Sequence, residues 1–239
     1  MPANRTASLV AREGLGGAYF LLTFLHPEAA REAQAGQFVM IKAGVSAEPP
    51  LRRPFAPPAD GEEALMVGGG YGVAPFGFLG GELRRRGGRA RLFYGGRTSA
   101  DLPLLKRLKQ QGLEVVPATE DGTTGAAGRV TVPLEAHLDA TAGARRLYAC
   151  GPEAMMHAVA RIAAARGLPA QVSLDPWMGC GVGTCLGCVV RIQRAEDARW
   201  KYRCACTEGP VFEAANVVWP GEAESHARQA RAASSEARA

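Results

Sequence analysis

No apolar run in this 239-residue sequence is long enough to span a membrane. The run at residues 18–25 falls far short of the roughly 20 residues a spanning helix needs, and elsewhere Gly and Pro interrupt the apolar stretches. That run also lacks a small-residue cleavage site behind it, and Arg5, Arg12 and Glu13 break up the start of the chain. No targeting segment is therefore expected, and the protein reads as cytoplasmic. Charge of one sign is scarce too: 28 basic residues against 23 acidic leave +5. No basic run is interleaved with aromatics, which argues against a nucleic-acid partner. The Arg84-Arg85-Arg86 run reads as a solvated helix face. No internal repeat is visible. What remains, 47% hydrophobic and 21% charged residues, is the profile of an ordinary globular protein. The length suits one large domain or two small ones, with enough apolar material for a core without disulfides.

The chain divides by pattern. Residues 7–12, 19–25 and 37–42 are candidate strands, punctuated by Gly14, Gly16, Gly17 and Gly36. Residues 48–58 hold five of the 16 prolines and cannot be helix. From residue 64 onward, strand and helix patterns alternate. Strands are expected at 64–67, 89–94, 113–117, 146–150 and 170–174, and helical segments at 75–86, 102–111, 130–138 and 152–166, with a loop at 121–128. Pro75 at the start of the first helix and Gly87-Gly88 past its end fit the usual asymmetry of helix ends. Strands separated by helices imply an α/β fold with a parallel sheet covered on both faces.

Five of the six cysteines, Cys180, Cys185, Cys188, Cys204 and Cys206, crowd into 27 residues. In a reducing compartment that crowding points to metal rather than disulfides. The stretch Met178-Gly-Cys-Gly-Val-Gly-Thr-Cys-Leu-Gly-Cys188 has the C-x4-C-x2-C spacing of a plant-type [2Fe–2S] cluster. Three ligands from one tight loop can wrap so small a cluster. Gly179, Gly181, Gly183 and Gly187 are expected to take positive φ and turn N–H groups toward sulfur. Either Cys204 or Cys206 could supply the fourth sulfur. A structural zinc site on Cys185, Cys188, Cys204 and Cys206 is the competing reading; it leaves Cys180 unexplained and needs no glycine-rich wrap. Five unpaired core thiols would be the third.

A second pattern, Met66-Val-Gly-Gly-Gly-Tyr-Gly-Val-Ala-Pro75, follows a strand and opens a helix. Glycines there can let a backbone approach a pyrophosphate at a helix N-terminus. Pro75 stands where the usual fingerprint has its third glycine, and a tight turn without a ligand would look similar. Gly95-Gly96-Arg97 and Cys150-Gly151-Pro152 end two further strands, at the edge of a parallel sheet where ligands bind. Cys150 alone would read as a small buried hydrophobe.

These residues resemble a family. Gly68, Gly69, Gly70, Gly72, Val73, Ala74 and Pro75 resemble the nucleotide-binding turn of ferredoxin–NADP reductase-like proteins, and Tyr148–Met155 their nicotinamide-side motif. Met178–Cys188 with Cys206-Thr-Glu-Gly-Pro-Val-Phe212 is similar to the iron–sulfur domain of electron-transfer subunits of type B (NAD-dependent) dihydroorotate dehydrogenase. Gly36–Ile41 and Leu51–Phe55 resemble that subunit's flavin-domain motifs. The resemblance implies that Arg53, Pro54, Phe55 and the adjoining Ala56 hold FAD, with Ala56 standing where the family has Ser. It assigns NAD to the turns at 68–75, 95–97 and 150–152. It gives the cluster Cys180, Cys185, Cys188 and Cys206, with no role for Cys204. It implies residues 1–60 as a shortened antiparallel β flavin-binding domain, 61–174 as an α/β NAD-binding domain, 175–220 as a [2Fe–2S] domain and 221–239 as a flexible tail. The implied partner is a catalytic dihydroorotate dehydrogenase subunit in a hetero-oligomer of the pyrimidine pathway. No residue here need act as acid or base. The same cluster also occurs in related reductases that serve ferredoxin, sulfur or hydrogenase partners.

The sequence departs from this pattern in one large respect. Only twelve residues separate Phe55 from Gly68, where the family holds the rest of a six-stranded flavin barrel. At roughly 5–6 residues per strand, the missing half cannot fit there. Asp175 also replaces the family's Glu. The shortening matters because NADH yields two electrons together, a [2Fe–2S] cluster takes one at a time, and a flavin bridges the two. A flavin-less iron–sulfur carrier is the alternative that follows.

Overall fold

The computed structural model describes residues 7–16, 19–37, 41–42, 46–47 and 53–221. It opens with an antiparallel pair, β1 (Ser8–Gly16) and β2 (Tyr19–Leu25). The sequence reading ends the first strand at residue 12 and treats Gly14 and Gly16 as turn residues. Both lie inside β1, where register shifts mark bulges that glycine tolerates; Gly17 lies outside the described residues. A helix absent from the sequence reading follows, α1 (Pro27–Glu32). It buries no residue, so it has no apolar stripe to read. His26 caps it, Nδ1 accepting from the Ala29 N–H at 3.1 Å. A second small pair, β3 (Ile41–Lys42) and β4 (Ser46–Ala47), stands apart from the first. Where three strands are expected, four short ones form two separate sheets, and among the described residues they close no barrel. Residues 38–40 of the expected third strand, 48–52 of the proline-rich stretch and 222–239 of the expected tail lie outside the described residues.

The centre of the protein is β5 (Glu63–Gly69), buried along all but its first residue. Its apolar run reads continuously because both faces are covered. Helix α2 (Ala74–Arg85) follows, burying Phe76, Leu79, Gly80 and Leu83 at helical spacing. Then come β6 (Ala90–Gly96), α3 (Leu105–Gln110), β7 (Glu114–Thr119), β8 (Ala126–Ala127), α4 (Thr131–Ala140), β9 (Arg145–Cys150), α5 (Glu153–Ala165) and β10 (Ala170–Ser173). The expected helix at 102–111 is instead a 3-10 turn, Ser99–Asp101, and a shorter helix starting after Pro103. The expected strand at 113–117 runs on to Thr119, and the expected loop at 121–128 contains β8. Pro117 is tolerated in β7 because β8 pairs only from Ala118 onward, so the proline has a strand on one side alone.

The cysteine-rich segment adds a third small antiparallel pair, β11 (Val189–Ile192) and β12 (Lys201–Cys204), then the short helix α6 (Ala205–Glu208). The chain then returns to the large sheet as β13 (Val211–Glu213). That sheet has the order β13-β10-β9-β5-β6-β7-β8, parallel throughout except for β13, an antiparallel edge strand. Two cores cover its faces. One holds Leu65, Val67 and Phe93 against α4 and α5; the other holds Met66, Tyr94 and Tyr148 against α2 and α3. No helix among the described residues is long and apolar enough to cross a membrane.

Candidate functional site

Strands β5 and β9 are neighbours, but the connections leaving them run to opposite sides of the sheet. This is a topological switch point, where a crevice opens beyond the carboxyl ends of the strands. Register pairs Gly68 with Cys150, so the two glycine-containing turns leave the sheet side by side. They are packed against each other. A Cβ on Gly72 would stand 2.5 Å from Gly151 Cα and 2.6 Å from the Cys150 carbonyl oxygen; one on Gly69 would stand 2.6 Å from Pro152 Cδ. Gly68 is closed by Val73 at 2.9 Å. The sequence reading attributes these glycines to close approach of a pyrophosphate. At Gly68, Gly69 and Gly72 the space is taken by the protein itself, whereas at Gly70, with φ of 54°, a Cβ would find nothing nearer than Tyr19 Oη at 4.0 Å. Val73 closes a 3-10 turn, and Ala74 and Pro75 begin α2.

At the end of β6, Gly95 and Gly96 make room for Val130 and Asp101, whose Cβ atoms would each lie 2.7 Å from an added Cβ. Arg97 projects into solvent, 81% exposed, its Nε 3.2 Å from Asp101 Oδ2. Asp101 also accepts from the Arg97 N–H and from Tyr19 Oη, tying the first hairpin to this edge. Bonding to Arg97 holds the Asp101 carboxyl below its ordinary range.

Beside the paired turns lies a cleft of about 880 Å³. Its walls come from residues 33–37, from Tyr71, Gly72, Pro75 and Phe78, from Cys150 and Gly151, and from residues 175–178. Burial pushes the Cys150 thiol up to about 12, so it remains a thiol at neutral pH. Burial also raises Asp175, and it raises Tyr71 with Asp175 adding to the effect. Trp177 stands almost wholly exposed at the rim. Tyr71, Phe78 and Trp177 were not singled out as site residues in the sequence; an aromatic beside a glycine-rich turn or a cysteine loop was the available signal.

Arg53, Pro54, Phe55 and Ala56 do not line this cleft; Phe55 lines a neighbouring cavity of about 420 Å³ that also borders Phe78. The Phe55 ring is 4% exposed, 5.7 Å from the Phe76 ring and 5.4 Å from that of Tyr148. It is a core residue, and its ring has no free face for a flavin. Arg53 and Ala56 are exposed. The Phe55 N–H donates to the Ala35 carbonyl at 2.8 Å and the Arg53 N–H to the Gly209 carbonyl at 2.9 Å. Tyr148 Oη donates to the Ala56 carbonyl at 2.9 Å, and the Ala56 N–H donates to Gln171 Oε1 at 2.9 Å. The segment is thereby fastened to the large sheet.

The cysteine loop starts two residues after the cleft wall ends at Met178. N–H groups of Val182 and Cys185 donate to Cys180 Sγ, and that of Gly187 donates to Cys185 Sγ, each at 3.4 Å. Gly181 and Gly183 have positive φ as expected. Gly179 and Gly187 do not; Leu186, at 57°, takes the third left-handed position instead. Cys206 sits in α6, buried with Cys188, whereas Cys204 ends β12 and is partly exposed. Backbone bonding, first from Cys185, lowers the Cys180 thiol to about 6, while burial pushes Cys206 up to about 12; bound metal would hold both deprotonated. Among the described residues no three His, Cys, Asp or Glu side chains converge as ligands of a single ion, which a tetrahedral zinc site asks for. Loop N–H groups reach the Cys180 and Cys185 sulfurs, an arrangement that suits an iron–sulfur cluster.

Behind the loop, the Asp197 carboxylate, with its side chain 2% exposed, meets Lys201 Nζ at 2.6 Å and an Arg203 nitrogen at 3.0 Å. Glu208 of α6 bridges Arg194 and Arg203. This network ties the β11–β12 connection to the helix that carries Cys206, and the sequence offered no motif for it.

Residues 175–218 match the iron–sulfur cluster binding domain of dihydroorotate dehydrogenase B, and residues 66–161 match the oxidoreductase NAD-binding domain. Over 245 aligned positions the chain is 31% identical to the electron transfer subunit of dihydroorotate dehydrogenase B (NAD(+)) from Desulforamulus reducens, covering 84% of this chain and 92% of the relative. The counterpart from Bacillus caldolyticus is 34% identical, covering 77% and 87%. Those 245 positions outnumber the residues of this chain, so the relative carries residues that have no counterpart here. The fold is similar, with a TM-score of 0.75 at 23% identity and 92% of each chain covered, to the structure of an NADH-dependent reduced ferredoxin-NADP oxidoreductase.

Proposed function

Because the chain belongs to the family of electron transfer subunits of dihydroorotate dehydrogenase B (NAD(+)), we propose that it relays electrons between NAD at the paired turns and a catalytic dihydroorotate dehydrogenase subunit. It is an oxidoreductase subunit, with an NAD-binding domain and an iron–sulfur domain. One observation carries the relay reading: residues 175–178 form a wall of the cleft at the paired turns, and Cys180 lies two residues further along the chain. The nucleotide edge of the sheet and the cysteine loop are thus one continuous segment.

The residues divide the work. Gly70 and the N-terminus of α2 would take the pyrophosphate, where backbone N–H groups and the helix dipole favour an anion. Gly95, Gly96 and Arg97 would flank the adenosine side. Cys150, Gly151 and Pro152 would form the floor under the nicotinamide, with Cys150 holding its proton. Cys180, Cys185, Cys188 and Cys206 would hold a [2Fe–2S] cluster, the N–H groups of Val182, Cys185 and Gly187 tuning its sulfurs. The cleft has room for a flat flavin ring, and Arg53, Pro54 and Ala56 are the members of the family's flavin motif left facing outward. When bound, FAD would supply the exchange between paired and single electrons, and the cluster would supply single-electron transfer.

The test is co-expression with a catalytic dihydroorotate dehydrogenase subunit, anaerobic purification, and measurement of flavin, iron and acid-labile sulfide per chain together with dihydroorotate–NAD turnover. All three cofactor components and turnover are expected. Neither iron nor sulfide would reject the reading. A second reading, an iron–sulfur carrier without flavin, is favoured by the two separate strand pairs that replace a barrel. Iron and sulfide without flavin, and no NADH oxidation, would select it.

A further inference from the structure

A fifth cysteine, Cys204, lies where β12 meets α6, against the core that holds Cys188 and Cys206. Cys204 is the last residue of β12 and pairs across the small sheet with Val189, the residue after Cys188. The Ala205 N–H extends that ladder by donating to the Cys188 carbonyl at 3.0 Å. Cys204 packs against the same buried cluster as Cys188 and Cys206. Cys188 and Cys206, two of the four proposed ligands, therefore lie beside it, and only one residue, Ala205, separates it from the fourth-ligand position.

We propose that Cys204 is a reserve ligand: it can replace Cys206 as the fourth sulfur of the cluster. This rests on the reading of Cys180, Cys185 and Cys188 as the other three. The exchange involves no oxidation. The iron bond to Cys206 breaks as one to Cys204 forms, and the Cys204 proton passes to Cys206. The two arrangements would differ in environment. Cys206 is buried, whereas Cys204 is partly exposed. A cluster held by Cys204 would thus be more open to water and tuned to a different potential.

The test uses the full chain, anaerobically reconstituted with iron and sulfide. Readouts are iron, acid-labile sulfide and the electron paramagnetic resonance spectrum after dithionite reduction. Variants are C204A, C206A, C204A/C206A and, as a ligand with no neighbouring substitute, C185A. Expected are a wild-type spectrum and iron content in C204A, a retained cluster with shifted g-values in C206A, and loss of iron in C204A/C206A and C185A. Loss from C206A as complete as from C185A would overturn the proposal. If circular dichroism shows C206A unfolded, C206S takes its place, with C204A/C206S as its control; a cluster surviving in that control would be held by the serine oxygen and would equally overturn it. A wild-type chain that takes up no iron would instead overturn the underlying function, which keeps the two failures distinct.

Discussion

Gly72 and Gly151 meet backbone to backbone: a Cβ on Gly72 would lie 2.5 Å from Gly151 Cα. The contact locks the turn after β5 to the turn after β9 and sets the cleft floor. Gly72→Ala forces one turn away from the other, at about 1–3 kcal/mol of overpacking. A lower unfolding midpoint and weaker NADH binding by titration are expected together. NADH affinity unchanged in a destabilised variant would show that the paired turns do not form the nucleotide site.

Gln171 joins the segment at 53–56 to the sheet edge. It accepts from the Ala56 N–H and donates to Glu213 Oε1 at 2.6 Å. Gln171→Ala removes two bonds at once, one of them to a carboxylate, although exposed Ala56 and Glu213 can turn to water, and should cost about 1–3 kcal/mol. Tyr148→Phe removes a single bond to the Ala56 carbonyl and should cost less, about 0.5–1.5 kcal/mol. Urea unfolding ranks the two; the reverse order would contradict the clamp.

Asp197 is held well below the usual carboxylate range, by its bond to Lys201 first and then Arg203. A folded pKa below the unfolded one gives stability that is fully present above the unfolded value, near 3.9, and is lost as pH falls toward the folded value. Asp197→Asn should therefore melt below wild type by a constant margin between about pH 5 and 8, the gap closing only in stronger acid. A gap that changes across neutral pH would mean that another group is titrating.

Cys150 keeps its proton because it is buried. A raised thiol stabilises the folded state below its unfolded value, near 8.5, and that contribution is lost as pH rises toward about 12. In the folded protein at pH 8, Cys150 should resist iodoacetamide, whereas the urea-unfolded chain reacts. Peptide mapping by mass spectrometry after a short pulse reads the difference. Rapid native labelling would place the thiol in an open, activated setting.

Leu186 spends a left-handed conformation on an exposed side chain, with φ of 57° and 62% of its surface free. Leu186→Gly removes the backbone strain and loses little burial. The expected change in stability lies between zero and a gain of about 1 kcal/mol, with slower cluster loss to a chelator. A destabilised, faster-bleaching variant would show that the leucine side chain holds the loop.

Much of the site was legible where chemistry is local. The cysteine spacing states its purpose because three sulfurs must come from one short loop, and the alternating strands and helices announce a covered parallel sheet. Legibility failed where partners are distant in sequence. Phe55 lies in a motif that resembles a flavin site, yet its ring packs on Phe76 and Tyr148. Helix α1 escaped notice because it buries nothing, and β13 because a three-residue strand has no period to read.

The sequence by itself determined the family, the parallel α/β sheet and the cysteine loop, since each follows from spacing within a few neighbouring residues. Only the tertiary structure decided that the glycines of two remote turns serve each other, that the cleft shares its wall with the cysteine segment, and that Cys204 packs on the core that holds Cys188 and Cys206. Those facts depend on where strands separated by scores of residues come to lie side by side, and that is set by burial of both faces of the sheet rather than by any local pattern.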